Sequence, residues 1–297
     1  MLRNSLLLTA ILLLATNGLA GPISITPTTS ATTLVNAILG PGVVLVGSPS
    51  YTGVANQSGT FTGGGVAVGF DSGIVLTSGN ATQIPGLNTN GPESVGGGGT
   101  SDDLSTDLGQ PGYAGLTALA GYPTYDAAVL SFSFEFTGGG GGDLYFNFVF
   151  GSEEYINWIG SQFNDVFGFW VDGVNIALVP GTSTPITINT INNSANSGYY
   201  RNNVTNTAGL PVAGYDIKFD GLTTVIQAKM LGLGAGTHTM VFAVGDASDH
   251  ILDAGVFIQG GTFSNTPINP DIPEPGTLAL LGGGLLALGL ARRLRRS

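Results

Sequence analysis

Two stretches in the middle of the chain alternate apolar and polar residues with a period of two. Leu130 to Phe136 carries apolar side chains at every second position, and Leu144 to Phe150 repeats the pattern after a glycine run at 138–142. Because successive side chains of a strand point to opposite faces, each stretch predicts a strand with one aromatic face in the core. Joined by the flexible glycine run, the two strands are predicted to pair as a hairpin.

The rest of the pattern predicts more short strands and one helix. A second hairpin is predicted over 166–179, because two apolar runs flank the turn dipeptide Asp172-Gly173. One short helix is predicted with Ser30 as N-cap, Gly40 as C-cap, and Leu34, Val35 and Ile38 on one face. Ten or so strands predict an all-β, two-sheet β-sandwich with a jelly-roll-like topology. The remaining strands are predicted near 43–46, 65–70, 73–77, 184–191, 215–219, 222–229, 237–244 and 254–263.

Both ends of the chain carry patterns of export and membrane sorting. Residues 1–20 run from a positive start through a ten-residue apolar core (Leu6 to Ala15) to a small-x-small site, as in a secretory signal peptide. Near the other end, Pro273-Glu274-Pro275 precedes an uncharged segment at 276–291 and a basic cluster of Arg292, Arg293, Arg295 and Arg296. This segment predicts a short hydrophobic helix that inserts into the membrane, with the arginines on the cytoplasmic side.

These patterns divide the chain into a signal peptide (1–20), a β-sandwich domain (21–263), a linker (264–272) and a sorting tail (273–297). The chain has no cysteine, which excludes cysteine nucleophiles, disulfides and thiolate metal sites. Between residues 21 and 272, three cations stand against eighteen carboxylates, a net charge of −15. Such an acidic body repels nucleic acid and anionic membrane surfaces, and it suits divalent cations, basic partners or neutral sugars.

The tail resembles a known sorting signal. The Pro-Glu-Pro tripeptide, the apolar run and the arginine cluster are similar, in this order, to the PEP-CTERM signal of Gram-negative bacteria. The resemblance implies that exosortase, a membrane-embedded cysteine peptidase, cuts near the tripeptide. The precursor would be held in the inner membrane and then passed to the cell surface or its polysaccharide matrix. A plain C-terminal membrane anchor is the alternative, and both interpretations place residues 21–272 outside the cytoplasm.

The body resembles the choice-of-anchor L domain of bacterial surface proteins, roughly over residues 30–263. Five sequence blocks carry the resemblance, at 69–79, 124–130, 150–155 (Phe-Gly-Ser-Glu-Glu-Tyr), 163–169 (Phe-Asn-Asp-Val-Phe-Gly-Phe) and 246–258. Ala254-Gly255 departs from the serine expected in the last block, which weakens any role for a hydroxyl there. The resemblance implies a location and an architecture, but no established activity.

Acidic residues in the loops suggest a structural calcium site. Ca²⁺ takes six to eight oxygen ligands in flexible geometry, and clustered carboxylates repel one another unless a cation joins them. The candidate ligands are Glu153, Glu154, Asp165, Asp249 and Asp253. In the alternative interpretation, Glu153 and Asp165 bond to turn backbones while the other three face water.

The predicted function is a non-catalytic structural or adhesive role at the cell surface. Its partners would be the exosortase-type peptidase, extracellular polysaccharide or surface proteins, and Tyr155 and Trp158 are candidate residues for stacking on glycans. Two alternatives are a calcium-dependent carbohydrate-binding module and a β-sandwich glycoside hydrolase that acts on matrix polysaccharide. The hydrolase would pair Glu153 with Glu154 or Asp165. Adjacent residues of an extended chain point to opposite faces, which disfavours Glu153 with Glu154.

Overall fold

The computed structural model describes residues 22–89, 104–204 and 214–268, and it confirms the predicted β-sandwich. The signal peptide, the glycine run at 96–99 and the sorting tail lie outside the described residues. Within those ranges, no helix is long and apolar enough to cross a membrane. The helices are α1 (Ala31–Ile38) and α2 (Ala114–Ala120). The strands are β1 (Ser24–Pro27), β2 (Val43–Thr52), β3 (Ser58–Thr62), β4 (Ser72–Thr77), β5 (Thr124–Phe136), β6 (Gly142–Ser152), β7 (Val166–Val171), β8 (Val174–Asn175), β9 (Tyr200–Asn202), β10 (Gly221–Thr223), β11 (Ile226–Leu233), β12 (His238–Ala247) and β13 (Ala254–Gln259).

Two antiparallel sheets face each other across the core. The larger sheet has eight strands in the order β1-β3-β4-β13-β6-β10-β9, and β11 also pairs with β6. The smaller sheet has five strands in the order β2-β5-β12-β7-β8. From β4 onward the long strands alternate between the sheets: β4, β6, β11 and β13 lie in the larger sheet, and β5, β7 and β12 in the smaller. This alternation is typical of a jelly roll.

The hairpin predicted from the first two alternating segments is wrong, although both segments are strands. β5 pairs with β2 and β12, whereas β6 pairs with β10, β11 and β13 in the other sheet. The glycine run at 138–142 therefore carries the chain from one sheet to the other. A period of two determines which face of a strand is buried but not which strand lies beside it. Here the two aromatic faces meet across the core.

Aromatic rings from both sheets fill the space between them. Phe146 on β6 packs 5.1 Å from Phe169, 5.3 Å from Phe242 and 5.7 Å from Phe263, measured between ring centroids. The first two contacts are edge-to-face, a geometry that adds about 0.5–1.5 kcal/mol per pair beyond burial. Two smaller apolar clusters cover the outer faces of the sheets, one under loops on the larger sheet and one beneath α2. The aromatic layer between the sheets is therefore the main core.

The helix predicted near the start of the domain is present as α1. The side chain of Ser30 caps its N-terminus by accepting the backbone N–H of Thr33 at 3.3 Å. Its predicted inner face is buried, and its C-cap is Leu39 instead of Gly40. Neither α2 nor the edge strands β1 and β3 were predicted, since their sequences carry weak periodicity.

Three predicted strands are missing from the described structure. Segments 65–70, 184–191 and 215–219 form turns and isolated bridges instead. In 184–191 the threonines bond locally: the Thr187 N–H donates to Thr190 Oγ1 at 2.8 Å, and the Thr190 hydroxyl donates to the Pro185 carbonyl at 2.8 Å. Such local bonds compete with the ladder of a sheet.

The segment after β13 stays attached to the larger sheet. Ser264 and Tyr145 exchange backbone hydrogen bonds of 2.9 and 3.0 Å. Further along, the Ile268 carbonyl accepts from the side-chain amides of Asn147 (2.8 Å) and Gln227 (3.3 Å). The first part of the predicted linker at 264–272 is therefore bound to the sandwich through Ile268.

The hairpin predicted at Asp172-Gly173 is confirmed, although β8 is shorter than predicted. Both turn residues have positive φ, 48° and 83°, as a type I′ turn requires. The Asp172 carboxylate accepts the Thr239 N–H at 2.8 Å and lies 2.7 Å from His238 Nδ1. The other ring nitrogen of His238 lies 2.9 Å from the Gly234 carbonyl oxygen. This His–Asp pair ties the turn to the start of β12.

We expect the His238–Asp172 pair to stabilise the fold within a window of pH. Burial lowers the pKa of His238, but bonds to Asp172 and Gly234 outweigh it and raise the pKa above its usual value. Burial likewise raises the pKa of Asp172, but bonds from Thr239 and His238 outweigh it and lower the pKa. The stabilisation from the histidine is lost as pH rises through its raised pKa. The contribution of the aspartate is lost as pH falls through its lowered pKa.

An NMR titration of the His238 ring tests this pair. The pKa of His238 should lie above about 6.5, the value of an ordinary histidine, and Asp172→Asn should lower it. Asp71→Asn, at an exposed carboxylate, serves as the control and should leave the titration unchanged. A His238 titration that ignores Asp172→Asn contradicts the coupling.

Candidate functional site

At one end of the sandwich, three strands of the smaller sheet carry an aspartate where the aromatic core stops. Asp126 lies two positions before Ala128 on β5, Asp246 lies two positions after Val244 on β12, and Asp165 comes just before β7. Since inward-facing side chains recur at every second residue, each aspartate continues the buried row of its strand. All three are 0% exposed.

The register of the smaller sheet brings these aspartates side by side. Gly245 pairs with Val166, so the next residues, Asp246 and Asp165, stand at neighbouring strand ends. Asp246 lies opposite Tyr125, the residue before Asp126, at a β-bulge in the pairing of β12 with β5. Bulges re-aim side chains and are common next to functional sites.

The larger sheet supplies polar groups to the same end. Ala254 of β13 pairs with Ser152 of β6, and the Glu153 N–H donates to the Asp253 carbonyl at 3.1 Å. The Ser152 hydroxyl donates to Asp165 Oδ2 at 2.9 Å and so joins the two sheets. Carboxylates from both sheets therefore meet here, and we call Asp126, Asp165, Asp246 and Asp253 the carboxylate cluster.

Asp126 is bound by the loop that lies outside it. Its Oδ2 accepts the Leu108 N–H at 3.1 Å, and its Oδ1 accepts the Gln110 N–H. His250 Nδ1 lies 3.0 Å from Asp126 Oδ2 and 3.6 Å from Asp107 Oδ1. The ligand-type atoms of Asp107, Asp126 and His250 lie within 4.8 Å of one another, so this group can offer a metal three ligands at the rim of the cluster.

Asp246 differs from the other members of the cluster. Neither of its carboxylate oxygens receives a hydrogen bond. The Ser78 hydroxyl lies beside it but donates to the Ala254 carbonyl at 3.3 Å. By contrast, Asp253 Oδ1 accepts the Thr106 N–H at 2.8 Å. A buried carboxylate without a hydrogen-bond donor is costly when ionised, so Asp246 requires a proton or a cation nearby.

The electrostatics of the cluster point the same way. Burial is the main cause that raises the pKa of Asp165 and Asp246 well above the usual range, and it raises the pKa of Asp253 to about 6. The charges of Asp165 and Asp253 raise the pKa of Asp246 further. Bonds from Ser152 and Ala247 partly oppose the shift of Asp165. The protein therefore holds its carboxylates together at a cost in their ionised forms.

No lysine or arginine of the described residues forms an ion pair with this cluster. The ion pairs in these parts of the chain all join histidine to aspartate. Arg201 instead donates to the carbonyls of Ala67, Val68 and Thr223 and lies over the ring of Tyr215. The chemistry of the cluster, with hard oxygens and uncompensated charge, fits Ca²⁺.

The structure brings together part of the predicted calcium set. Asp165 and Asp253 belong to the carboxylate cluster. Glu153 and Glu154 follow β6 directly and are buried instead of facing water. Asp249 lies half-buried in the loop before β13, where burial raises its pKa.

Asp126 and Asp246 were not among the predicted ligands. Their signal is their spacing of two residues from the buried rows of β5 and β12. The predicted strands started at 130 and ended at 244, too short to include either aspartate.

The predicted glycan contact at Tyr155 is wrong, because that side chain is fully buried. Its ring packs 5.0 Å from Tyr200, and its hydroxyl donates to the Ile191 carbonyl at 2.8 Å. Trp158 is partly buried and packs edge-to-face against Phe163 at 4.9 Å. Its role in glycan binding stays a prediction. A nearby open hollow, lined by residues that include Gln110 and Tyr113, has a volume of about 170 Å³, less than the usual ligand pocket.

Comparison with protein families decides where the chain belongs. The family model of the choice-of-anchor L domain matches residues 24–264, which include every strand of the sandwich. The chain belongs to the choice-of-anchor L family. In this choice-of-anchor L protein, residues 271–296 match the PEP-CTERM protein-sorting motif. Both resemblances noted in the sequence are confirmed, and the motif implies export, a membrane-anchored sorting intermediate, processing by exosortase and a place at the cell surface.

Two further comparisons add little. A search of curated proteins found no match to this choice-of-anchor L protein. A solved β-glucosidase from Kluyveromyces marxianus is similar over 63% of this chain and 20% of its own, with 11% sequence identity and a TM-score of 0.20. The chain thus spans about a fifth of that enzyme's length, and a likeness this weak carries no argument about activity.

Proposed function

We propose that this protein is a non-catalytic structural or adhesive component of the cell surface or the extracellular polysaccharide of a Gram-negative bacterium. The observation that carries this proposal is the order of the two family matches, a surface-protein domain at 24–264 followed by a sorting motif at 271–296. Exosortase would release the domain from the inner membrane. The domain would then contact glycans or surface proteins through the loops at one end of the sandwich.

Burial of the acidic side chains supports a non-catalytic role. A glycoside hydrolase places two carboxylates on either side of the bond that it cleaves. Glu153 and Asp165, the best such pair in the sequence, are 1% and 0% exposed. Asp165 also accepts bonds from Ser152 and Ala247. A polysaccharide cannot reach carboxylates in this position without opening the sandwich.

Charge and exposure favour neutral partners for the adhesive role. The net charge of −15 between residues 21 and 272, from three cations and eighteen carboxylates, repels anionic polymers. Neutral sugars and basic protein surfaces do not meet that barrier. Trp158, which is only partly buried, is the proposed aromatic contact with a sugar.

Mass spectrometry of the mature C-terminus tests the sorting route. We expect protein recovered from the cell surface to end near 273–275 and to lack the apolar segment at 276–291. Without the peptidase, the chain should keep its arginine cluster and stay in the membrane fraction. Replacing Pro273, Glu274 and Pro275 with alanine should cause the same retention, whereas the control Pro270→Ala should be processed normally. Recovery of the intact chain from the cytosol, with both ends uncut, contradicts the proposal.

A further inference from the structure

The carboxylate cluster between the sheets can do more than end the core. We propose that this end of the sandwich is a Ca²⁺ site with Asp246 as its central ligand and Asp165 and Asp253 as the adjoining ligands. The site differs from the set suggested by the sequence, because its centre is a strand residue and not a loop residue. It is a property of the folded domain and does not depend on how the tail is processed.

The first argument is the state of Asp246. Its side chain is 0% exposed, and neither of its oxygens receives a hydrogen bond. Buried polar side chains nearly always have partners, and those without one usually mark an unseen ion or water. The groups whose charges act on Asp246 most strongly are Asp165 and Asp253, so the carboxylate faces the centre of the cluster.

The second argument is the convergence of oxygen donors from both sheets. Asp246 and Asp165 come from β12 and the start of β7 in the smaller sheet, and Asp253 comes from the start of β13 in the larger. Three carboxylates offer up to six oxygens, which approaches the coordination number of Ca²⁺. Since these residues are distant in sequence, the site forms only when the sandwich is folded. A cation that binds only the folded state adds its binding free energy to stability.

The rim group of Asp107, Asp126 and His250 is the weaker metal site. Both oxygens of Asp126 already accept backbone N–H groups. His250 Nδ1 sits 3.0 Å from Asp126, the distance of an ordinary hydrogen bond. These side chains therefore satisfy one another without a metal, which Asp246 does not.

Thermal melting and calorimetric titration of the full chain in detergent test the proposal. With calcium at about a hundred times its dissociation constant, we expect the melting temperature to rise by roughly 5–10 °C. EDTA should reverse the rise, and the titration should give about one Ca²⁺ per chain. A chain that binds no calcium, and that melts at one temperature in EDTA and in millimolar calcium, overturns the site. Protons would then neutralise the cluster.

Matched variants locate the site. Asp246→Asn should melt at or above the wild-type temperature in EDTA, because it removes a buried charge, and it should lose the calcium-induced rise. The control Asp71→Asn, at an exposed carboxylate, should keep that rise. If Asp246→Asn does not fold, Asp165→Asn provides the same test. A full calcium response in these cluster variants, or its loss in Asp107→Asn, overturns the assignment to Asp246.

Discussion

Replacing Phe146 with alanine should lower the free energy of unfolding by about 3–5 kcal/mol. The Phe146 ring is 0% exposed and contacts Phe169 and Phe242 from the opposite sheet. Phe263, which follows β13, stacks against it as well. Alanine would remove these contacts and leave a cavity between the two sheets, which neither sheet can close by moving alone. Urea unfolding at fixed pH and fixed calcium concentration measures the loss.

Leu231→Ala is the matched control for this substitution. Leu231 lies on β11, a neighbour of β6, and is 57% exposed. Its truncation should change the free energy of unfolding by less than about 0.5 kcal/mol, as is usual on a surface. Equal effects of the two substitutions would mean that the sheets do not pack around Phe146.

Alanine at Gly73 should destabilise the fold by about 3 kcal/mol, the upper end for overpacking, although it adds only one methyl group. Gly73 lies on β4 opposite Gln259 of β13. A Cβ at this position overlaps the backbone carbonyl oxygen of Ile258 and comes within 3.0 Å of the Gly260 nitrogen. Because both neighbours are backbone atoms, no side-chain rotation relieves the clash. The pairing of β4 with β13 must open instead.

Gly140→Ala tests whether space, and not glycine itself, decides the effect. A Cβ on Gly140 meets no atom within 4 Å, and its φ is not in the left-handed region. We expect this variant to be neutral or slightly more stable, by up to about 1 kcal/mol, because alanine restricts the unfolded chain. Thermal melting of the two glycine variants side by side gives the comparison. A Gly73→Ala protein that melts with Gly140→Ala contradicts the close packing of β4 on β13.

Periodicity located the strands better than it located their neighbours. β5, β6 and β7 carry alternating or continuous apolar rows, so their positions follow from the residues alone. The pairing of β5 with β12, far away along the chain, depends on how both aromatic faces are buried at once. Local sequence carries no record of that choice. In 184–191, side-chain bonds of Thr187 and Thr190 won over the propensity for a strand.

The candidate site shows the same division between local and long-range information. Asp165 and Asp253 were predicted as ligands because each lies in an acidic loop next to a strand. Asp246 requires knowledge of the register between β12 and β7, which no local pattern supplies. Tyr155 follows Ser-Glu-Glu, a polar run that indicates a surface, yet the chain turns inward there and buries the ring.

The attachment of Ile268 to Asn147 and Gln227 limits where the sorting step can take place. Five peptide bonds separate Ile268 from Pro273, and a fully extended chain of that length reaches about 18 Å. A protease that cuts beside the tripeptide must therefore approach to within that distance of the β6–β11 face. The folded domain has little clearance above the bilayer before release, so its bulk restricts the directions from which the enzyme can reach the scissile bond.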